Sequence, residues 1–380
     1  MGGTSRQFMN QEKKVELFFK SKHFCSVPWN HFYVFTNGDL ATCVKGAPLD
    51  NIHNIDIKDF VKTNSLCSIR ENLFNDILDA NCKKCQAMEG ENFQYLRGLY
   101  NPLFREADVD YSDNTEFKLQ GVDLHWGSTC QLKCVTCWAR SSSSIAKEEN
   151  KPILSVDTER ADQIIDFIIE NQGTLKEIYM SGGEPTLINH NLRLLQKLDI
   201  GDFRVRVNTN MMFNENNKII EELKRFPNVL ITISADAIEE RFEYIRRGAS
   251  WSIFIDNLTR LQDNFSWRVN SVFFVGSALQ LTDTQEFFMK NFGITDFTIN
   301  QVAMEHDDIR CRNLDDIVKL SCAEKLYKHK QKYPDENLIG QIDNCLIELQ
   351  EKVEETYIPF FENVDKKAGT NWQNIFPELV

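Results

Sequence analysis

The chain has 380 residues, room for about two domains of ordinary size. Its formal charge of −13 works against broad nucleic-acid binding, and no apolar run approaches the roughly 20 residues of a membrane-spanning helix. The stretch from Met1 to Lys22 is polar and charged, unlike a secretory leader, so the eleven cysteines are expected as reduced thiols in a cytoplasm.

Residues 9–22, with Val15, Leu17, Phe18 and Phe19 among lysines, read as a short amphipathic helix. Residues 31–35 and 40–44 flank Asn37-Gly38, a hairpin signal that predicts positive φ at both turn residues. That hairpin would bring Cys43 near Cys25. A short helix is expected over 69–77, followed by Cys82-Lys-Lys-Cys85. Four thiols from a hairpin and a C-x2-C turn can hold either one tetrahedral zinc ion or an iron–sulfur cluster. The plainer alternative makes Cys25 and Cys43 small buried apolar residues, because free cysteine often packs in cores. Cys67 reads as structural, and residues 100–118 read as a linker or loop.

Candidate strands then follow at 121–126, 176–181, 203–209, 229–234, 268–276 and 296–302. Helical patterns separate them, among them one over 157–168 that starts near Asp157. Strands alternating with helices imply an α/β fold of parallel βαβ units, whose chemistry belongs at the C-terminal strand ends. After the first of these strands comes Cys130-x3-Cys134-x2-Cys137. A four-iron cluster usually takes four thiolates, so three in a compact run leave one iron free for another ligand. Zinc sites more often pair two C-x2-C units or add histidines, and the nearest histidine, His125, lies within the preceding strand. The second strand ends in Ser181-Gly182-Gly183-Glu184-Pro185, which taken alone is an ordinary turn signal.

Together, the C-x3-C-x2-C run and the Gly-Gly-Glu-Pro strand end resemble the radical S-adenosylmethionine (radical SAM) family. Thr136 stands where the family often has an aromatic residue, with Trp138 just after the third cysteine. The resemblance implies a partial (βα)6 barrel. Cys130, Cys134 and Cys137 would hold a 4Fe-4S cluster whose open iron chelates SAM, and an electron from the cluster would cleave SAM to a 5′-deoxyadenosyl radical. By the same resemblance Gly182, Gly183 and Glu184 contact the SAM amino group, Asn208 and Ser234 hold its ribose and carboxylate, and Arg246 pairs with its carboxylate. A solvated helix-face charge is the alternative for Arg246 and for its neighbour Arg247.

The stretch from Cys25 through Gly38 and Cys43 to Cys82 and Cys85, followed by Glu91 and Arg97, resembles the auxiliary-cluster modules called SPASM and twitch. In that resemblance Cys25, Cys43, Cys82 and Cys85 ligate a second 4Fe-4S cluster. The further cysteines of the longer SPASM pattern are not found, and the module precedes the barrel instead of following it. The organisation expected is therefore an N-terminal helical extension (1–22), an auxiliary-cluster module (23–110), a radical SAM partial barrel (115–310) and a C-terminal helical region (311–380). Two charged amphipathic helices are expected over 315–357, with Cys322 and Cys345 packing. His306 and Cys311 are candidate hydrogen or proton donors, on the argument that their polar loop would cover the barrel mouth.

What the family implies is a cytoplasmic enzyme that abstracts hydrogen from a substrate, expected to be a peptide or protein side chain, with a flavodoxin or ferredoxin as reductant. A twitch-type dehydrogenase or cyclase acting on a sugar or nucleotide is the rival within the class. A non-catalytic iron–sulfur electron carrier is the rival outside it.

Overall fold

The computed structural model describes residues 11–87, 89, 96–301, 304–351 and 356–380. One nine-stranded sheet organises it. Three short strands come first, β1 (His31–Val34), β2 (Asp39–Ala41) and β3 (Asp50–Asn51). Six parallel strands follow: β4 (Gly121–Leu124), β5 (Glu177–Met180), β6 (Arg204–Thr209), β7 (Val229–Ser234), β8 (Ser266–Phe273) and β9 (Phe297–Gln301). The order across the sheet is β3-β2-β1-β4-β5-β6-β7-β8-β9.

Side chains alternate across a strand, so the register sorts residues into two faces. One rung runs Phe32, Val122, Ile178, Val205 and Val229, all buried in the main core beneath the helices. The adjacent rung runs Tyr33, Asp123, Tyr179 and Arg206, which gives the opposite, inner face a polar lining. The helix Thr158–Glu170 illustrates the outer layer. Asp157 caps it by accepting from the Arg160 amide at 2.9 Å, and Ala161, Ile164, Ile165 and Ile168 form its buried stripe.

The six predicted barrel strands all form, and the cysteine-rich N-terminal segment adds to the same sheet through parallel pairing of β1 with β4. The boundary expected between 110 and 115 thus falls in a connection, while the sheet itself crosses it.

Several local expectations change. Only Gly38 of the Asn-Gly pair has positive φ (87°). Its amide donates to the Phe35 carbonyl at 2.9 Å and the Phe35 amide to Asp39 at 2.9 Å, so the hairpin has a three-residue loop with its left-handed residue last. The helix expected at 69–77 begins earlier and spans Asn64–Phe74, because Thr63 caps it by accepting from the Leu66 amide. Part of the expected linker is helical, as Leu96–Phe104. The N-terminal helix spans Gln11–Phe19; residues 9 and 10 of its expected range, and Glu91, lie outside the described residues.

The two C-terminal helices form as Asp316–Lys332 and Glu336–Gln350. A final segment closes over the helix Glu239–Ile245. There Arg241 stacks on the Phe376 ring, with its guanidinium 4.8 Å from the ring centre, and pairs with Glu378.

Candidate metal centres

The loop carrying Cys130, Cys134 and Cys137 leaves the C-terminal end of β4 and is tied down along its length. The Lys133 amide donates to the Arg247 carbonyl at 2.9 Å and the Val135 amide to Ile245 at 2.8 Å, which fastens it to the end of the helix Glu239–Ile245. From the other side, Ser143 Oγ accepts from the Cys130 amide at 3.0 Å, Ser144 Oγ donates to the Cys130 carbonyl at 2.8 Å, and Ser142 Oγ donates to Leu132 at 2.6 Å. These serines escaped the sequence reading; as a polar run just after a cysteine motif they carry no periodic signal.

Two of the three sulfurs accept hydrogen bonds from side chains outside the loop. Asn210 Nδ2, past β6, lies 3.8 Å from Cys130 Sγ, and Arg246 Nη1 lies 3.9 Å from Cys134 Sγ. Burial pushes the Cys130 and Cys137 thiols up to about 12, and raises Cys134 against the lowering influence of Arg246.

Gly182 and Gly183 let the end of β5 press against this loop. The Gly183 amide donates to the Gly127 carbonyl at 2.9 Å, and the Glu184 amide to Thr129 at 2.7 Å. A Cβ at Gly183 would stand 2.6 Å from the Ser128 carbonyl carbon, so no side chain fits there. Glu184 is buried and braces the site from within: its carboxylate accepts from Thr186 Oγ1 (2.7 Å), Thr209 Oγ1 (2.7 Å), and the amides of Thr186 (3.1 Å) and Asn210 (2.8 Å). Burial raises its pKa and these four donors oppose the rise.

Asn208, at the end of β6, is half-buried, and its Oδ1 has no partner among the described residues, as an acceptor awaiting a ligand would. Ser234 ends β7. Arg246, expected to meet a carboxylate of SAM, pairs with Asp236 at 2.8 Å, and both are buried. Just past β4, His125 Nδ1 faces Tyr33 Oη at 2.6 Å; burial depresses this histidine to about 4, so the ring is neutral. Its Nε2 is buried with no partner among the described residues, and the ring lies beside Gly182.

The second thiol set is brought together as expected. Cys25, Cys43, Cys82 and Cys85 line one cavity of about 40 Å³, with Arg97 and Glu89 at its wall. Arg97 holds Glu89 through Nη2 at 2.8 Å. Backbone N–H groups face the sulfurs: Val27 at Cys25, Lys45 and Gly46 at Cys43, Leu96 and Arg97 at Cys85. Burial raises all four thiols, Cys82 to about 12, and the amides oppose the rise at those three. Donors aimed at sulfur favour thiolate, the state that ligates metal, so both sets have the chemistry an iron–sulfur cluster requires. Among the described residues no three His, Cys, Asp or Glu side chains converge closely enough to hold one metal ion.

The two candidate donors part company. His306 Nε2 lies 3.2 Å from the Cys137 carbonyl, and its ring stacks on Trp138 with 6.0 Å between centres. Cys311 is fully buried, its amide bonded to Glu348 at 3.0 Å, and it neighbours Cys322 and Cys345 in the C-terminal layer. The expectation that Cys311 sits on a loop over the barrel mouth is thus corrected: the 3-10 turn Cys311–Asn313 packs inward against the helix Glu336–Gln350.

Residues 125–278 match the model of the radical SAM superfamily, and residues 25–86 match that of the iron–sulfur cluster-binding domain called SPASM. Comparison with curated proteins finds no match. Among solved structures, anSMEcpe with bound AdoMet and the Cp18Cys peptide is 14% identical with a TM-score of 0.44, covering 59% of this chain and 62% of that one. Streptococcus suis SuiB bound to its precursor peptide SuiA is 14% identical with a TM-score of 0.42, covering 79% and 68%. The chain thus spans about three fifths of the length of the first of these, and likenesses of this size carry no functional argument. No helix among the described residues is long and apolar enough to cross a membrane. The two family matches fall on the two thiol sets: residues 125–278 carry a radical SAM domain and residues 25–86, ahead of it, an iron–sulfur cluster-binding SPASM domain, with iron–sulfur clusters and SAM as the cofactors of these domains.

Proposed function

We propose that this chain is a radical SAM enzyme that modifies a peptide or protein side chain, working in the cytoplasm with a flavodoxin- or ferredoxin-type reductant. When bound, SAM and a low-potential 4Fe-4S cluster supply reductive carbon–sulfur cleavage and hydrogen abstraction. In this reading Cys130, Cys134 and Cys137 hold that cluster. Gly182 and Gly183 bring backbone close to the SAM amino group, with Asn208 and Ser234 at the adjoining strand ends. Cys25, Cys43, Cys82 and Cys85 hold a second cluster, supplied by the segment ahead of β1, the segment just after β2 and the C-x2-C turn.

The observation that carries the proposal is the contact between the two motifs: the Gly182-Gly183 strand end is packed on the loop of the three thiols, with Glu184 bonded out of the way. A zinc-held loop has no need of a side-chain-free backbone at its rim. The peptide class is favoured over nucleotides by charge. On the strands of the inner face, Arg204 and Arg206 both pair with Glu177, and Arg268 pairs with Asp296 at 2.8 Å, so each of these arginines is already held by a protein carboxylate that a phosphate would have to displace.

The test is anaerobic reconstitution, reduction with dithionite and chromatography for 5′-deoxyadenosine. Its formation is expected from the native protein and not from a Cys130→Ala variant. An iron-loaded protein yielding none even with excess SAM would make the chain an electron carrier. Stimulation by a phosphorylated sugar or nucleotide and by no peptide from neighbouring open reading frames would favour the small-molecule reading.

A further inference from the structure

Arg246 touches a cluster thiol and is itself held by a buried carboxylate, an arrangement that goes beyond binding SAM. It follows the helix Glu239–Ile245, and its Nη1 lies 3.9 Å from Cys134 Sγ. Its Nη2 is 2.8 Å from Asp236 Oδ2, just past the end of β7. Asp236 is fully buried, and its other oxygen accepts from the Val272 amide of β8 at 2.8 Å. The backbone around Arg246 is equally fixed, since Ile245 and Arg247 both accept amides of the thiol loop. The guanidinium therefore reaches Cys134 from a rigid mount, with its charge balanced by one carboxylate.

Hydrogen bonds to the sulfurs, and net charge nearby, set the potential of an iron–sulfur cluster. Reduction adds one negative charge to a buried centre, so a donor at a ligand sulfur favours the reduced form and a nearby anion disfavours it. We propose that Arg246 and Asp236 act as an opposed pair that sets the reduction potential of the cluster held by Cys130, Cys134 and Cys137. Arg246 makes the cluster easier to reduce and Asp236 limits how far. Arg246 is thus a positioning residue, acting through Cys134. This rests on the reading that those three thiols hold a 4Fe-4S cluster.

One donor, Arg246 Nε, is buried without a partner among the described residues, so the rival assignment is that it meets the carboxylate of SAM. The two assignments separate in a redox titration of reconstituted protein, following the reduced-cluster electron paramagnetic resonance signal without SAM, beside a SAM titration of the same samples. Arg246→Gln removes the donor and leaves Asp236 unbalanced, so its midpoint should fall. Asp236→Asn leaves Arg246 unopposed, so its midpoint should rise. A tenfold change in the reduction equilibrium reads as about 59 mV for one electron. Arg246→Lys keeps the charge and should return part of the way.

Opposite shifts with SAM affinity changed less than threefold are the expected result. Unmoved midpoints, shifts of one sign in both variants, or a SAM affinity lowered tenfold or more in Arg246→Gln at an unchanged midpoint would overturn the pair's role. Iron content reports whether each variant still assembles its cluster, and Arg247→Gln, whose native guanidinium pairs with Glu148, is the control for a neighbouring charge lost. If native protein gives no reduced-cluster signal, the failure lies with the cluster reading and not with the pair.

Discussion

Gly183→Ala tests the central contact with a single methyl group. The added Cβ would lie 2.6 Å from the Ser128 carbonyl carbon and 2.7 Å from that of Thr129, both backbone atoms of the segment leading into Cys130. Carbon atoms rest about 3.5–4.0 Å apart, so the strand end and the loop must separate by roughly an ångström. Overpacking of this kind costs about 1–3 kcal/mol. The separation also strains the Gly183-to-Gly127 and Glu184-to-Thr129 hydrogen bonds, each worth about 1 kcal/mol. The total expected is about 2–4 kcal/mol, or roughly 30- to 1,000-fold in the unfolding equilibrium. Urea unfolding of the metal-free protein under anaerobic conditions measures it, and SAM titration of the iron-loaded protein should show weaker binding. Gly340→Ala is the control: its Cβ meets nothing within 4 Å inside the helix Glu336–Gln350, so it should stabilise by about 1 kcal/mol. A Gly183→Ala protein with the native unfolding midpoint and native SAM affinity would show that the loop is not pressed on the strand end, and the reasoning from close approach would fail.

Native protein should bind about eight irons per chain, as two four-iron clusters. Replacing Cys130, Cys134 and Cys137 together by alanine should leave about four, as should replacing Cys82 and Cys85; about four irons with one zinc in the native protein would put zinc at the auxiliary site. Because burial raises the thiols, with Cys82, Cys130 and Cys137 at about 12, metal-free protein holds them protonated at neutral pH. Ligation then expels protons, so cluster loading at limiting iron should rise between pH 7 and pH 9 and release acid on an unbuffered pH trace. A pH-independent yield would mean that the thiols are already ionised. Glu184→Gln should destabilise by about 1–3 kcal/mol, because an amide accepting from Thr209 Oγ1 turns its NH2 group toward the Asn210 amide. Denaturant midpoints at pH 7 measure this, and an unchanged midpoint would deny the brace.

The parts of the fold legible beforehand are those with a short period. The six barrel strands were placed by apolar alternation, and β6 and β7 differ from expectation by no more than a residue at either end. The helix Thr158–Glu170 was legible in the same way, because its buried residues recur at helical spacing behind a capping aspartate. The hairpin turn was half legible. Asn-Gly marks a reversal, but whether two or three residues make the loop depends on which residues pair. Val34 opposite Leu40 leaves a loop too long for the two-residue turn. The addition of β1 to β4 was hidden, since parallel pairing between segments so far apart leaves no local trace.

The same distinction divides the site. Cysteine spacing and the glycine pair are local, so the thiols and the close strand end could be named before their geometry was known. Glu184 is legible through its local motif, while the partners the fold gives it, Thr209 and Asn210, come from the next strand and its end. Arg246 is the sharper case. An arginine in a sequence advertises an anion, and the nearest anion implied by the motif is the cofactor's carboxylate. The fold supplies another: Asp236 lies just past the end of β7, Arg246 follows the next helix, and the chain between them returns the guanidinium to the same strand end. A buried charge without a partner costs far more than a paired one, so the fully buried Asp236 requires this arginine whether or not any ligand is bound. The requirement is internal to the fold, and it leaves Arg246 donating to a thiol that a sequence motif identifies but cannot aim.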